Sequence, residues 1–192
     1  MRRRSVCGFT PLELPGVIAV VAFLVALLPY AIVTFADEDA PLSGSIALSG
    51  PDQKTLTLTA EEFRRLPRTE LEARERDGSM AKYSGVEMSQ LLNKLGVPQG
   101  EGLRGEWLRK FVLVEASDGY RVVFALPEFD AAFSDRKIIL ADLRNAQPLA
   151  ESAGPYQVIV PSEKRRARWV RMVTAIRVVD SVAAATDQGQ AK

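Results

Sequence analysis

Phe111-Val112-Leu113-Val114-Glu115-Ala116-Ser117-Asp118-Gly119-Tyr120-Arg121-Val122-Val123-Phe124-Ala125 is the stretch on which the fold turns. Two β-rich runs, 111–116 and 121–125, flank Ser117-Asp118-Gly119-Tyr120, and Asp-Gly between apolar runs is the chemistry of a hairpin turn. Sequential antiparallel strands argue against a parallel sheet wound by long crossover helices. The same pattern recurs outward. Residues 71–76 and 80–83 flank Asp77-Gly78, and residues 45–49 and 55–58 alternate around Gly50-Pro51-Asp52. Thr59-Ala60-Glu61-Glu62 is a capping box opening a short helix that Pro67 closes. Residues 87–95 place Met88, Leu91, Leu92 and Leu95 on one helical face, with Gly96 as the stop. Downstream, 127–133 predicts a short helix and 137–142 a strand ending at the 144–147 turn; strands 157–160 and 174–179 complete the set. Hairpins with interspersed short helices predict an α+β fold of mixed sheets.

The chain has 192 residues, 47% hydrophobic and 26% charged, which are globular proportions. Without residues 1–36, which carry three arginines and one glutamate, the remainder holds 22 basic and 23 acidic residues. A near-neutral body lacks the field of a nucleic-acid binder. Histidine is absent throughout, and the single cysteine, Cys7, precedes the apolar run. The body therefore has no means of building a Ser-His-Asp or Cys-His centre, a zinc finger, a His-ligated haem or a disulfide. No period of 20–50 residues recurs, so repeat architectures are excluded.

Arg2-Arg3-Arg4 precede an apolar run over 16–36 broken only by Pro29-Tyr30. At ~1.5 Å per residue the run is ~30 Å long, enough to cross a bilayer. Basic residues stay on the cytoplasmic side, which places the following domain in the periplasm or another extracytoplasmic space, tethered to the inner membrane if the run is retained. Residues 1–36 are read as a signal peptide or an uncleaved anchor, 37–44 as a linker, 45–182 as the domain and 183–192 as a flexible tail. Upstream, Gly8-Phe9-Thr10-Pro11-Leu12-Glu13-Leu14 resembles the type IV prepilin leader, with Pro11 and Pro15 departing from it. That resemblance implies cleavage after Gly8, methylation of Phe9 and a role for Glu13 in assembly.

Four constellations are candidates for chemistry. Gly100-Glu101-Gly102-Leu103-Arg104-Gly105 fits GxGxxG, but a helix precedes it and a strand follows, so it reads as a loop. Glu128, Asp130 and Asp135 form a carboxylate group near a helix, which reads as capping and solvation. Tyr120 beside the Asp118-Gly119 turn is placed to donate a hydrogen bond. Glu163-Lys164-Arg165-Arg166-Ala167-Arg168-Trp169-Val170-Arg171 gathers cations around one Trp. Arginine forks hold phosphates bidentately, and Trp stacks on Arg or on a flat ring.

Taken in order, the chain resembles the molybdopterin-binding domain of the sulfite oxidase family. The resemblance rests on Leu66-Pro67-Arg68, Tyr83-Ser84-Gly85-Val86 leading into Leu91-Leu92 and Gly96, and Ala116-Ser117-Asp118-Gly119-Tyr120. It continues through Leu140-Ala141, Pro148-Leu149, Gly154-Pro155, Val158-Ile159-Val160-Pro161, Lys164 and Arg168-Trp169-Val170. It implies a mixed α+β fold, an active-site role for Tyr120, and cofactor contacts from Lys164, Arg165, Arg168 and Trp169. Members ligate molybdenum through a cysteine placed before the segment matching 83–92; this chain has Gly78, Ser79 and Met80 there. A hard serine oxygen ligates molybdenum in another enzyme family, which makes Ser79 a conceivable substitute. The expectation is a binding or interaction module for an anionic small ligand or a partner protein, with no cofactor and no metal site. The alternatives are a molybdopterin-dependent oxidoreductase subunit and a pilin-like component of a secretion machine.

Overall fold

The computed structural model describes residues 44–51, 54–161 and 163–182. The expected leader, almost all of the linker and the tail lie outside them. All described residues belong to the second of the chain's two units, 40–192.

The first two strands, β1 (Ile46–Ser49) and β2 (Thr55–Leu58), form the expected hairpin. Helix α1 (Ala60–Arg64) follows, opened by the capping box: Thr59 Oγ1 accepts from Glu62 N at 3.2 Å, and Thr59 N donates to Glu62 Oε2 at 2.8 Å. Strands β3 (Thr69–Arg74) and β4 (Met80–Glu87) pair antiparallel across the Asp77-Gly78 turn. Strand β3 ends before the expected residue 76, because Glu75 N donates to the Ser79 carbonyl at 2.6 Å and so starts the turn. Helix α2 (Met88–Lys94) buries Met88, Leu91 and Leu92. It stops at Gly96 (φ +86°), where Gly96 N reaches the Asn93 carbonyl at 2.9 Å and Val97 N the Leu92 carbonyl at 3.1 Å.

Strands β5 (Lys110–Ala116) and β6 (Arg121–Ala125) are the hairpin of the opening stretch. The helix expected over 127–133 is only a 3₁₀ turn, Leu126–Phe129. Asp130 breaks it: its carboxylate accepts from Ala132 N at 2.8 Å and Gly100 N at 2.6 Å, competing with the helical ladder. Strand β7 (Ile139–Arg144) is buried over its first four residues, with β4 on one edge and both β8 (Gln147–Pro148) and β9 (Gln157–Ile159) on the other. Strand β10 (Val173–Asp180) closes the order.

Two five-stranded sheets result. One runs β2-β1-β10-β5-β6, with β1 and β10 parallel and the other pairs antiparallel. The other runs β3-β4-β7-β8, with β9 also on β7. Buried residues of both sheets (Ile46, Leu48, Val112, Val114, Ile139, Leu140) join Phe63 of α1 and the apolar face of α2 in one core. Phe63 and Tyr156 meet there with ring centroids 4.7 Å apart. At roughly 1.5–3 kcal/mol per fully buried large side chain, this core replaces the cross-links the chain lacks. Among the described residues no helix is long and apolar enough to cross a membrane.

Candidate functional site: a basic cleft

One open cleft, about 930 Å³, lies between the β3–β4 hairpin, the end of β7 and the 163–171 segment. The hairpin supplies Arg74, Glu75 and Arg76, because a turn of mixed charge projects its side chains outward. Tyr83 of β4 and Trp169 give it an aromatic wall. Arg144 enters from β7, which ends in a two-residue turn with Asn145 and Ala146 at φ +50° and +61°. The Asn145 side chain fixes that turn by accepting from Lys82 N at 2.9 Å.

Seven of the described lining residues are Arg or Lys and two are Glu. Glu75 takes two of the cations: Arg144 Nε at 3.0 Å and Arg166 Nη1 at 3.1 Å, with the Tyr83 hydroxyl donating to the same carboxylate. Burial pushes the Glu75 carboxyl up, but the bonds from Tyr83 and Arg144 and the two arginine charges outweigh it, and its pKa falls below the ordinary value. The partner phenol moves the other way: burial, then the bond to Glu75 and its charge, push Tyr83 up to about 12. The remaining five cations, Arg74, Arg76, Lys164, Arg165 and Arg171, form no ion pair with any described residue. Uncompensated cations facing one concavity focus a positive potential, which suits an anion.

Lys164, Arg165 and Trp169, expected as ligand contacts, do line this cleft. Trp169 is 7% exposed, and its indole donates to the Val160 carbonyl at 2.8 Å. Tyr83 packs edge-on to the ring at 5.8 Å, and the Arg166 guanidinium lies over it at 4.6 Å. Arg168 is not among the lining residues. Its guanidinium reaches Glu128 and Glu163 at 2.7 Å each and covers Phe124 at 4.8 Å, which clamps the 3₁₀ turn Arg166–Arg168 to the protein. Tyr120 is likewise outside the cleft, with its hydroxyl donating to the Ala167 carbonyl at 2.8 Å and so bracing the same turn. Ser79 is absent from the lining too; its hydroxyl donates to Asp77 Oδ1 at 2.7 Å within the hairpin turn. Glu128 and Asp130 serve structure, and the Gly100–Gly105 run forms 3₁₀ turns in a loop.

Sequence reasoning missed Glu75, Tyr83 and Arg144. The signal was the Arg74-Glu75-Arg76 alternation beside a turn, read for its Asp-Gly and not for its charges. Among the described residues no group of three or more His, Cys, Asp or Glu side chains gathers to hold a metal.

The family model described as "Oxidoreductase molybdopterin binding domain" matches residues 40–186. A search of curated proteins returned no match. Among solved structures, a chain of the sulfane dehydrogenase SoxCD from Paracoccus pantotrophus shares the fold, with a TM-score of 0.57 and 22% identity. The match covers 74% of this chain and 39% of that one, so this chain spans about two fifths of it.

Proposed function

The chain belongs to the oxidoreductase molybdopterin-binding domain family, and we propose that its basic cleft binds the phosphate-bearing ring of a molybdopterin-type ligand without catalysing oxygen-atom transfer. The observation that carries this reading is the set of five cations on one cleft that pair with no carboxylate among the described residues, beside a braced Trp-Arg pair. Arginine and lysine match a phosphate monoester, and the aromatic wall matches a flat ring. The metal half of such a cofactor is not matched. Residues 37–192 hold no Cys or His, and the Ser79 hydroxyl is engaged by Asp77 away from the cleft. No step is therefore routed through molybdenum. The domain works outside the cytoplasm, delivered or tethered by residues 1–36, and offers the loaded cleft to a partner protein.

The test is titration of the purified full-length protein with inorganic phosphate and pyrophosphate at several salt concentrations. Binding that weakens as salt rises, and falls at least tenfold when Lys164 and Arg165 are both changed to Ala, supports the reading; salt-independent binding or none overturns it. Metal analysis of protein from molybdenum-replete cells adds a second arm. Stoichiometric molybdenum would establish the other reading, an oxidoreductase subunit, which the family membership itself favours. The pilin-like alternative rests on Gly8 to Leu14, and mass spectrometry settles it: a mature chain beginning at N-methylated Phe9 establishes prepilin processing.

A further inference from the structure

Arg166 makes an unusual set of contacts for a surface arginine. Its guanidinium carbon sits 4.6 Å from the Trp169 ring centroid. Nη1 donates to Glu75 Oε2 at 3.1 Å, and Nη2 donates to the backbone carbonyl of Arg74. The surroundings thus amount to a stacking face, a carboxylate and a carbonyl, arranged to take a flat group with two N–H-bearing nitrogens on one carbon. A guanidinium is such a group. The edge of a 2-amino-4-oxopyrimidine ring is another: its ring N3–H and exocyclic amino nitrogen share one sp² carbon, in a flat ring that stacks. We infer that Trp169, Glu75 and the Arg74 carbonyl form the receptor for the 2-amino-4-oxopyrimidine edge of a pterin, and that Arg166 occupies it as a built-in competitor which the ligand displaces.

This rests on the cleft reading above and deepens it by naming which atoms read the ring. Three features allow the exchange. First, Glu75 keeps its orientation once Arg166 leaves, because its other oxygen is held by the Tyr83 hydroxyl and by Arg144 Nε at 3.0 Å. Second, the turn carrying Arg166 does not depend on that side chain. Arg168 pins it to Glu128 and Glu163, Tyr120 to the Ala167 carbonyl, and the Trp169 indole to Val160. Third, Lys164 and Arg165 stand next to it in sequence on the same cleft, free to meet a phosphate on the same ligand. The displaced guanidinium joins them. A side chain tethered beside its own acceptors has a high effective concentration, so occupancy by Arg166 lowers the apparent affinity for any ligand that needs the same place.

The experiment compares binding of pterin with lumazine, which carries oxygen in place of the 2-amino group, by calorimetry on the full-length protein. Removing a cation from a basic cleft should weaken an electrostatically held ligand; removing a competitor should tighten a displacing one. Arg166→Ala is expected to bind pterin at least tenfold more tightly than the unmodified protein and to prefer pterin over lumazine at least tenfold. Adding Glu75→Gln is expected to erase that preference. Arg166→Gln, which keeps more of the packing on Trp169, serves if the alanine variant does not fold. Pterin binding no tighter than in the unmodified protein, or equal binding of pterin and lumazine, overturns the inference. Guanosine carries the same edge and, like pterin, no phosphate: tighter binding of guanosine than of pterin overturns the assignment to a pterin. Inorganic phosphate titrated in parallel reports on the cleft reading alone, so either can fail without the other.

Discussion

Replacing Gly85 with Ala tests the register of the sheet that carries half of the cleft. Gly85 lies in β4 opposite Ala141 of β7, at a register shift between Ser84 and Gly85. A Cβ there would stand 2.1 Å from the Leu140 carbonyl oxygen and 2.6 Å from Ala141 Cα, both backbone atoms, where ordinary contact begins near 3.4 Å. No rotamer relieves this, so β4 and β7 must separate by roughly 1 Å, weakening about two ladder hydrogen bonds of about 1 kcal/mol each. Overpacking strain adds about 1–3 kcal/mol. The sum, roughly 3–5 kcal/mol, is a large part of the 5–15 kcal/mol that holds a typical domain. At roughly 3 °C per kcal/mol for a domain of this size, Tm should fall by roughly 10 °C. Gly96→Ala is the control. Nothing lies within 4 Å of its Cβ position, but φ is +86°, so only backbone strain of about 1 kcal/mol applies. Thermal unfolding of both variants by circular dichroism decides the matter. A Gly85→Ala protein melting within about 2 °C of the unmodified one, or no lower than Gly96→Ala, would falsify the argument.

Asp180 accepts from Arg109 at 3.1 Å and from Lys110 at 3.1 Å. The Arg109 bond, then the Val182 amide, hold its pKa down to about 2, below the ordinary 3.8. Its contribution is present above pH 4 and lost as pH falls through about 2, so Asp180→Asn should melt lower at pH 5 and lose less on acidification from 4 to 2. Glu75 follows the same sign, its pKa being lowered: its contribution is full above the ordinary 4.5 and fades below it. Glu75→Gln should therefore flatten the acid limb of stability measured by urea unfolding, whereas an unchanged limb would show that the arginine pairs add nothing. Alkaline difference spectroscopy should find Tyr83, for the reasons given, and Tyr156, by burial and then the Asp142 charge, ionising only near pH 12. Tyr83→Phe should remove one of these late steps.

Local chemistry made most of the secondary structure legible. The Asp118-Gly119 and Asp77-Gly78 turns, the Thr59 capping box and the Gly96 stop each depend on a few adjacent residues, and each sits where those residues predict. Non-adjacent partners were not legible. Nothing near Val173 says that β10 runs parallel to β1, and nothing near Asp130 says that its carboxylate will bind the Gly100 amide and shorten a helix. The cleft divides along the same line. The cationic run 163–171 was visible because it is contiguous. Glu75, Tyr83 and Arg144 come from three separate elements, and only the β3-β4-β7 register brings them together. Arg168 and Tyr120 show the converse, since each looks available in sequence while its polar atoms are taken by distant groups.

The place of β10 sets a schedule for making this protein. It is the central strand of its sheet, yet it ends only at residue 180. A ribosome that has read through β6 has made both outer hairpins of this sheet, β1-β2 and β5-β6, each with a bare edge and an uncovered apolar side, and nothing joins them until β10 is read. Such edges invite pairing with the wrong chain, and joining first to last is slow because the intervening loop is long. A transcript cut short before codon 173 would thus yield a sticky half-product instead of a smaller working domain, and holdase chaperones should bind it in preference to the finished chain.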